Sequence, residues 1–305
     1  MRPEEAIAVL FLLPTTWLTG VAHYFAPASG AIGPRFAGGV LRIVVAILCG
    51  AVLYLAARRR PERGSALFMI REMLPFLLCI LIYTNLHDTI GFVNPNDLSG
   101  ALLTMDVWLF GGEPCLWAEQ FYSRDRTEFF QLLYMSFVLI APAVPLFLLF
   151  AKRFEDSRRA ALSIILCFYL GYALYLILPA APPRLALAAD FKKNLGGDPF
   201  FASMAAERAF SLLPTDSRAA FPSLHAAVSL LALGLAWRFT RGLFFLLLPA
   251  AIGLWVSTIY LRHHFVVDLL AGFALAPVAY ALAPRLDSWW TIRRKRLGGP
   301  ATCPP

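Results

Sequence analysis

An all-α, polytopic transmembrane bundle of about eight spans is the fold class this sequence predicts, on three observations. Of its 305 residues, 59% are hydrophobic and only 15% are charged, against roughly 45–50% and 25% in soluble domains. Apolar runs near the ~20 residues of helix that cross a hydrocarbon core recur along the whole length. Between these runs the arginines gather in short blocks, as topology determinants do. The chain therefore reads as one membrane protein rather than two soluble domains.

The runs fall near 6–24, 38–57, 73–91, 129–151, 160–179, 223–240, 243–261 and 265–284. The first follows Met1-Arg2 but carries Glu4 and Glu5, with no small-x-small cleavage site after it, so an uncleaved span is expected. The second ends at Arg58, Arg59 and Arg60, with Arg63 and Arg71 beyond; the third ends beside His87 and Asp88. A long connection, 92–128, carries Asp106…Leu109-Phe110-Gly111 and then Trp117, Phe121 and Tyr122, aromatics suited to a short segment in the membrane interface. Lys152, Arg153, Arg158 and Arg159 separate the fourth span from the fifth, which closes at Pro179-Ala180-Ala181-Pro182-Pro183-Arg184. After a second long connection, 180–222, the sixth and seventh spans form a tight hairpin around Thr240, Arg241 and Gly242. The eighth leads to Arg285 and the Arg293–Arg296 run, which reads as a disordered tail. Three parts result: two N-terminal spans in 1–65, a six-helix catalytic core in 66–285, and a basic tail in 286–305.

Alternating the ends places most Lys and Arg on one side, so the positive-inside rule puts both termini in the cytoplasm and both long connections outside. The net charge of +8 sits in these blocks and does not point to nucleic acid. Of five cysteines, Cys49, Cys79 and Cys167 lie inside apolar runs, and Cys115 and Cys303 lack metal-ligand spacing, so no disulfide framework is implied. Nothing in the sequence identifies a protein partner; membrane lipids are the expected substrates.

Of the five histidines, His23 reads as interfacial, and His87 is structural or reaches the outer cavity. The others fall in two polar-decorated segments, Ser217-Arg218-Ala219-Ala220-Phe221-Pro222-Ser223-Leu224-His225 and Ser257-Thr258-Ile259-Tyr260-Leu261-Arg262-His263-His264-Phe265-Val266-Val267-Asp268. Because the spans alternate in direction, these two segments and Pro179–Arg184 emerge on one face. His264 and Asp268 stand at i and i+4, where a carboxylate can fix the imidazole tautomer and leave the other nitrogen as a nucleophile. Such a histidine suits phosphorus, forming a covalent intermediate that splits one displacement into two. His225 can protonate the departing alkoxide. Arg184, Arg218, Arg262, Ser223 and the opening N–H groups of the sixth helix are candidate phosphate ligands, with no cofactor or metal required. The same spacing would also suit metal ligands, and a transporter binding a headgroup at its outer face is a reading from another class.

The residues Phe221-Pro222-Ser223-Leu224-His225 and His264-x-x-x-Asp268 resemble the type-2 phosphatidic acid phosphatase superfamily. Within it they are most similar to inositol phosphorylceramide synthases and their bacterial relatives. The Pro179–Arg184 segment, Tyr260 before the histidine pair and the Asp106…Gly111 stretch support that branch, and the resemblance spans roughly 106–272. It implies a nucleophilic His264 oriented by Asp268, a general acid in His225, and phosphate ligands in Ser223 and Arg184. Tyr260, His263 and His87 become possible substrate contacts. The chain departs from the phosphatase pattern at Leu224, where glycine is usual, at Thr258, where arginine is usual, and at Ile177, where lysine is usual. These departures fit a phosphotransferase of the synthase-like branch better than a lipid or isoprenoid phosphate phosphatase, with Arg218 and Arg262 as candidates for the missing charge.

Overall fold

A computed structural model describes residues 2–25, 34–59, 61–193, 195 and 218–296. In chain order the helices are α1 (Pro3–Phe25), α2 (Pro34–Arg59), α3 (Ala66–Val93), α4 (Ser99–Phe110), α5 (Pro114–Ala118), α6 (Arg124–Met135), α7 (Phe137–Phe150), α8 (Phe154–Ile177), α9 (Pro183–Ala186), α10 (Leu224–Phe239), α11 (Arg241–Tyr260) and α12 (Val266–Arg296). Each predicted apolar run lies in helix, the fourth in α6 and α7 together. Among the described residues six stretches are long and apolar enough to cross a membrane, while Ile43–Ala56 and Leu224–Phe239 are apolar but shorter. The protein is an all-α integral membrane protein. Side chains such as Leu139, Phe150 and Leu246 remain exposed on its outside, where acyl chains rather than water are the expected neighbours.

Helix starts differ from the sequence reading where capping decides them. Ser65 accepts from the Phe68 N–H at 3.2 Å and starts α3 a full two turns early. Arg71, read from sequence as part of a basic loop, therefore lies inside a helix, buried against Glu5. At the other end of the chain α12 runs on to Arg296, so the expected disordered tail is helical over 286–296, with Pro284 carried inside the helix. The amphipathic segment in the first long connection is α4, which buries Leu102 and Asp106 and exposes Trp108 and Phe110.

α8 is the central post, buried along most of its length and packed by α3, α7, α10 and α12. Two glycines let helices approach where the site forms. A Cβ at Gly272 of α12 would meet the Ser223 carbonyl oxygen at 2.3 Å, so only glycine allows α12 to lie against the start of α10. A Cβ at Gly171 of α8 would meet Leu224 at 2.4 Å. The bulk that Leu224 brings to the motif is thus accommodated by a missing side chain on α8. Ser223 N–H donates to the Asp268 carbonyl at 2.9 Å, locking the two helix starts together.

Candidate active site

Backbone bonds draw the three polar segments to one end of the bundle. The Ala180 N–H donates to the Arg218 carbonyl and the Ala220 N–H returns to the Ala180 carbonyl, at 2.9 and 3.1 Å. From the same strip, the Arg184 N–H donates to the Arg262 carbonyl at 2.9 Å. The Pro179–Arg184 segment is therefore a clasp across the site, with Pro182 and Pro183 opening the short helix α9.

The His263-His264 loop is set by Thr258, whose carbonyl accepts both histidine N–H groups at 2.8 and 3.2 Å. Arg262 makes the reversal with φ 63°, a left-handed conformation uncommon for a residue with a side chain. Asp106, fully buried, accepts from the Val266 and Val267 N–H groups at 2.7 and 2.9 Å and caps α12 from across the chain. The Cys115 thiol reaches the His264 carbonyl at 3.4 Å, and Glu113 accepts from the Cys115 N–H at 3.2 Å. Burial, with Asp106 as a nearby like charge, pushes the Glu113 carboxyl up to about 7.

Within this frame the imidazoles line up. His264 Nδ1 lies 3.2 Å from Asp268 Oδ2, which also accepts the Phe265 N–H at 2.9 Å. A carboxylate can only accept, so the proton sits on Nδ1 and the lone pair on Nε2. That Nε2 faces His225 Nδ1 at 3.2 Å. Burial first, and then the Arg184 guanidinium, hold His264 down to about 3, so the ring is neutral and its lone pair available at physiological pH. Arg184 hydrogen-bonds His263 Nδ1 and is itself exposed. Tyr134 stacks on His263 at 4.4 Å and lies tilted against His225 at 4.7 Å, and Phe137 braces His225 from 4.5 Å.

The sequence-predicted residues thus separate by position. His225, His264 and Asp268 form one relay, with Arg184 beside it. Ser223, fully buried, caps α10 through its contact with the Ala226 N–H. Arg218 is engaged by the Pro95 and Asn96 carbonyls and by Asp97. Arg262 stacks on Phe191 at 3.7 Å and bonds the Lys193 carbonyl at 2.8 Å and Glu119 at 3.4 Å. Both arginines hold loops with protein partners rather than standing beside the relay. Tyr260 accepts from the Ser123 N–H, bonds Thr127 and packs tilted against Phe130, tying α11 to the start of α6. His263 is the link between Arg184 and Tyr134. The side chain of His87 lies outside the described residues. Among the described residues no group of three or more His, Cys, Asp or Glu side chains is arranged to hold a metal ion.

A family model described as the PAP2 superfamily matches residues 101–282, more than half of the chain and the whole of this relay. The chain belongs to the PAP2 superfamily. It is also similar to the phosphoinositol dihydroceramide synthase of Bacteroides thetaiotaomicron, 29% identical over 227 residues that cover 67% of this chain and 73% of that protein. No solved structure matches the chain. Together these place this PAP2 protein in the inositol phosphorylceramide synthase-like branch and make it an enzyme acting on lipid phosphates.

Tyr134 and the capping role of Asp106 were not readable from the sequence. Tyr134 lies outside both histidine segments, and Asp106 meets its partners across a separation of 160 residues. For Asp106 the resemblance gave a location without a function.

Proposed function

We propose that this PAP2 protein is a lipid phosphotransferase that moves a phosphorylated polyol headgroup, inositol phosphate being the leading candidate, onto a ceramide-like lipid alcohol. The observation that carries it is the ordered relay Asp268–His264–His225 beside Arg184. His264 Nε2 attacks phosphorus, the bond to the donor lipid's oxygen breaks, and His225 delivers the proton that oxygen needs. The group then rests on His264 as a phosphohistidine. An acceptor hydroxyl gives its proton to His225 and attacks phosphorus, breaking the P–N bond and restoring both rings. The negative charge of the incoming phosphodiester favours the imidazolium form that His225 needs for the first step. Arg184 and the N–H groups opening α10 balance charge on the phosphoryl oxygens, without a metal.

An in-line attack needs phosphorus about 3–3.5 Å from the nucleophile and the acid within about 3 Å of the leaving oxygen. Two nitrogens 3.2 Å apart cannot satisfy both, so His225 and His264 part when the phosphate enters. His225 is braced by rings alone on two sides, which allows such a shift at little polar cost.

In this reading residues 66–285 are the catalytic core, both termini face the cytoplasm, and the relay faces away from it, an orientation the arginine blocks favour. The assay is purified protein in vesicles with headgroup-labelled phosphatidylinositol, with and without ceramide. Ceramide-dependent transfer of the labelled inositol phosphate is expected. Release of water-soluble phosphate at the same rate without any alcohol would make the protein a phosphatase instead.

A further inference from the structure

At the end of the bundle opposite the histidine relay, α8, α10 and α12 enclose a cleft of about 180 Å³. Asp268 and Asp287 are on one helix, and their separation along α12 corresponds to roughly 28 Å. The cleft therefore belongs to the other membrane face. Its floor is apolar, from Leu162, Leu235 and Ala283, and its rim carries Arg159, Arg238 and the exposed Ser288.

The charges at the rim are unevenly matched. Asp287, the one carboxylate lining the cleft among the described residues, is claimed from the side by Arg158 through two bonds of 3.0 and 2.7 Å. Arg238 donates to the Tyr280 hydroxyl at 2.9 Å and lies over the Phe239 and Tyr280 rings, all neutral partners. Arg159 has no ion-pair partner among the described residues. Two guanidinium groups thus face a polar-rimmed, apolar-floored cleft with no carboxylate left to neutralise them.

We propose that this cleft binds the phosphate headgroup of an anionic phospholipid in the leaflet opposite the active site. Arg159 and Arg238 take the phosphate, and Leu162, Leu235 and Ala283 take the glycerol backbone and first acyl carbons. Guanidinium groups suit phosphate through paired N–H donors, and at this depth the membrane supplies headgroups at high local concentration. A free anion would have no use for the apolar floor.

The test uses the full chain in nanodiscs of equal phosphatidylglycerol and phosphatidylcholine, extracted in mild detergent, with copurifying lipid measured by mass spectrometry. The wild type is expected to retain phosphatidylglycerol preferentially. R159Q/R238Q should lose about 30-fold of that preference, the effect of two interfacial arginines. Ser288→Glu, which adds a negative charge at an exposed rim position, should weaken it in the same direction with the fold intact. Unchanged preference in both variants would overturn the proposal. So would displacement of the lipid from the wild type by millimolar inorganic phosphate, which would mark a site for free anions.

Discussion

Two polar clusters interrupt the apolar bundle, one at each end, and they are built on opposite principles. At the end away from the relay the interior charges are matched, while Arg159 and Arg238, on the exposed rim of the cleft, lack a carboxylate among the described residues. Arg71 meets Glu5 at 2.5 Å, Arg2 bonds Glu72, and Arg158 bridges Asp287 and Glu4, so that α1, α3, α8 and α12 are cross-linked. At the relay end the central groups are two imidazoles and one carboxylate, and the nearest cation, Arg184, is exposed. Matched buried charges hold helices together and have little left to offer a ligand. Imidazoles beside an exposed guanidinium hold helices less firmly, but in the proposed reaction they leave a lone pair and positive charge for a phosphate. The difference separates a clamp from a candidate reaction centre within one apolar fold.

Substitutions at the two ends should therefore fail in different ways. The largest effect is expected from His264→Ala, a loss on the order of 10⁶-fold in turnover with an unchanged melting temperature, as when the nucleophile of a covalent enzyme is removed. Turnover of labelled donor and thermal unfolding in detergent check the two halves of that statement. His225→Ala should cost about 10²- to 10⁴-fold on a natural donor and much less on one with an acidic phenol leaving group, which needs little protonation. Equal losses on both donors would remove its role as acid.

At the clamp, Arg71→Ala leaves Glu5 buried without its partner and should destabilise the fold by about 3–5 kcal/mol. Denaturant unfolding measures this, and turnover per folded molecule should stay near wild type. A variant that melts normally but is inactive would erase the distinction between the two ends.

The smallest effect concerns Glu113, which sits behind the His264 loop. Its carboxyl is raised to about 7 in the folded protein, so the folded state holds a proton that the unfolded chain releases near 4.5. Its stabilising contribution is complete below about pH 4.5 and is lost as pH rises through 7. Glu113→Gln should flatten the decline in melting temperature over that window, with the gain largest at pH 8. An unaltered pH profile would mean that Glu113 does not titrate there.

Much of the fold and of the candidate site's geometry was legible in the sequence because the candidate residues lie in compact motifs at helix ends. Alternating span direction was enough to bring His225, His264 and Arg184 to one face, and i, i+4 spacing was enough to pair His264 with Asp268. Charge sign alone did not reveal the protein partners of Arg218 and Arg262. Each looks like a phosphate ligand until Asp97 and Glu119, from distant loops, are seen beside it. Arg71 misled for the converse reason: a basic residue near a loop reads as a topology signal unless Ser65 is recognised as the cap that carries it into the helix. Contacts such as Asp106 with Val266 depend on how α4 lies under α12, and no local pattern records that.

The central claim is a covalent phosphoryl group on His264, and trapping it is the most direct measurement. Wild-type protein mixed with donor labelled at phosphorus, without acceptor, should be denatured rapidly in alkaline detergent, where a phosphoramidate survives. The expected result is label on the peptide containing His264 in the wild type, more of it in the absence of ceramide than in its presence, and none in His264→Ala. Label that persists in His264→Ala, or that maps to another residue in the wild type, would contradict the assignment.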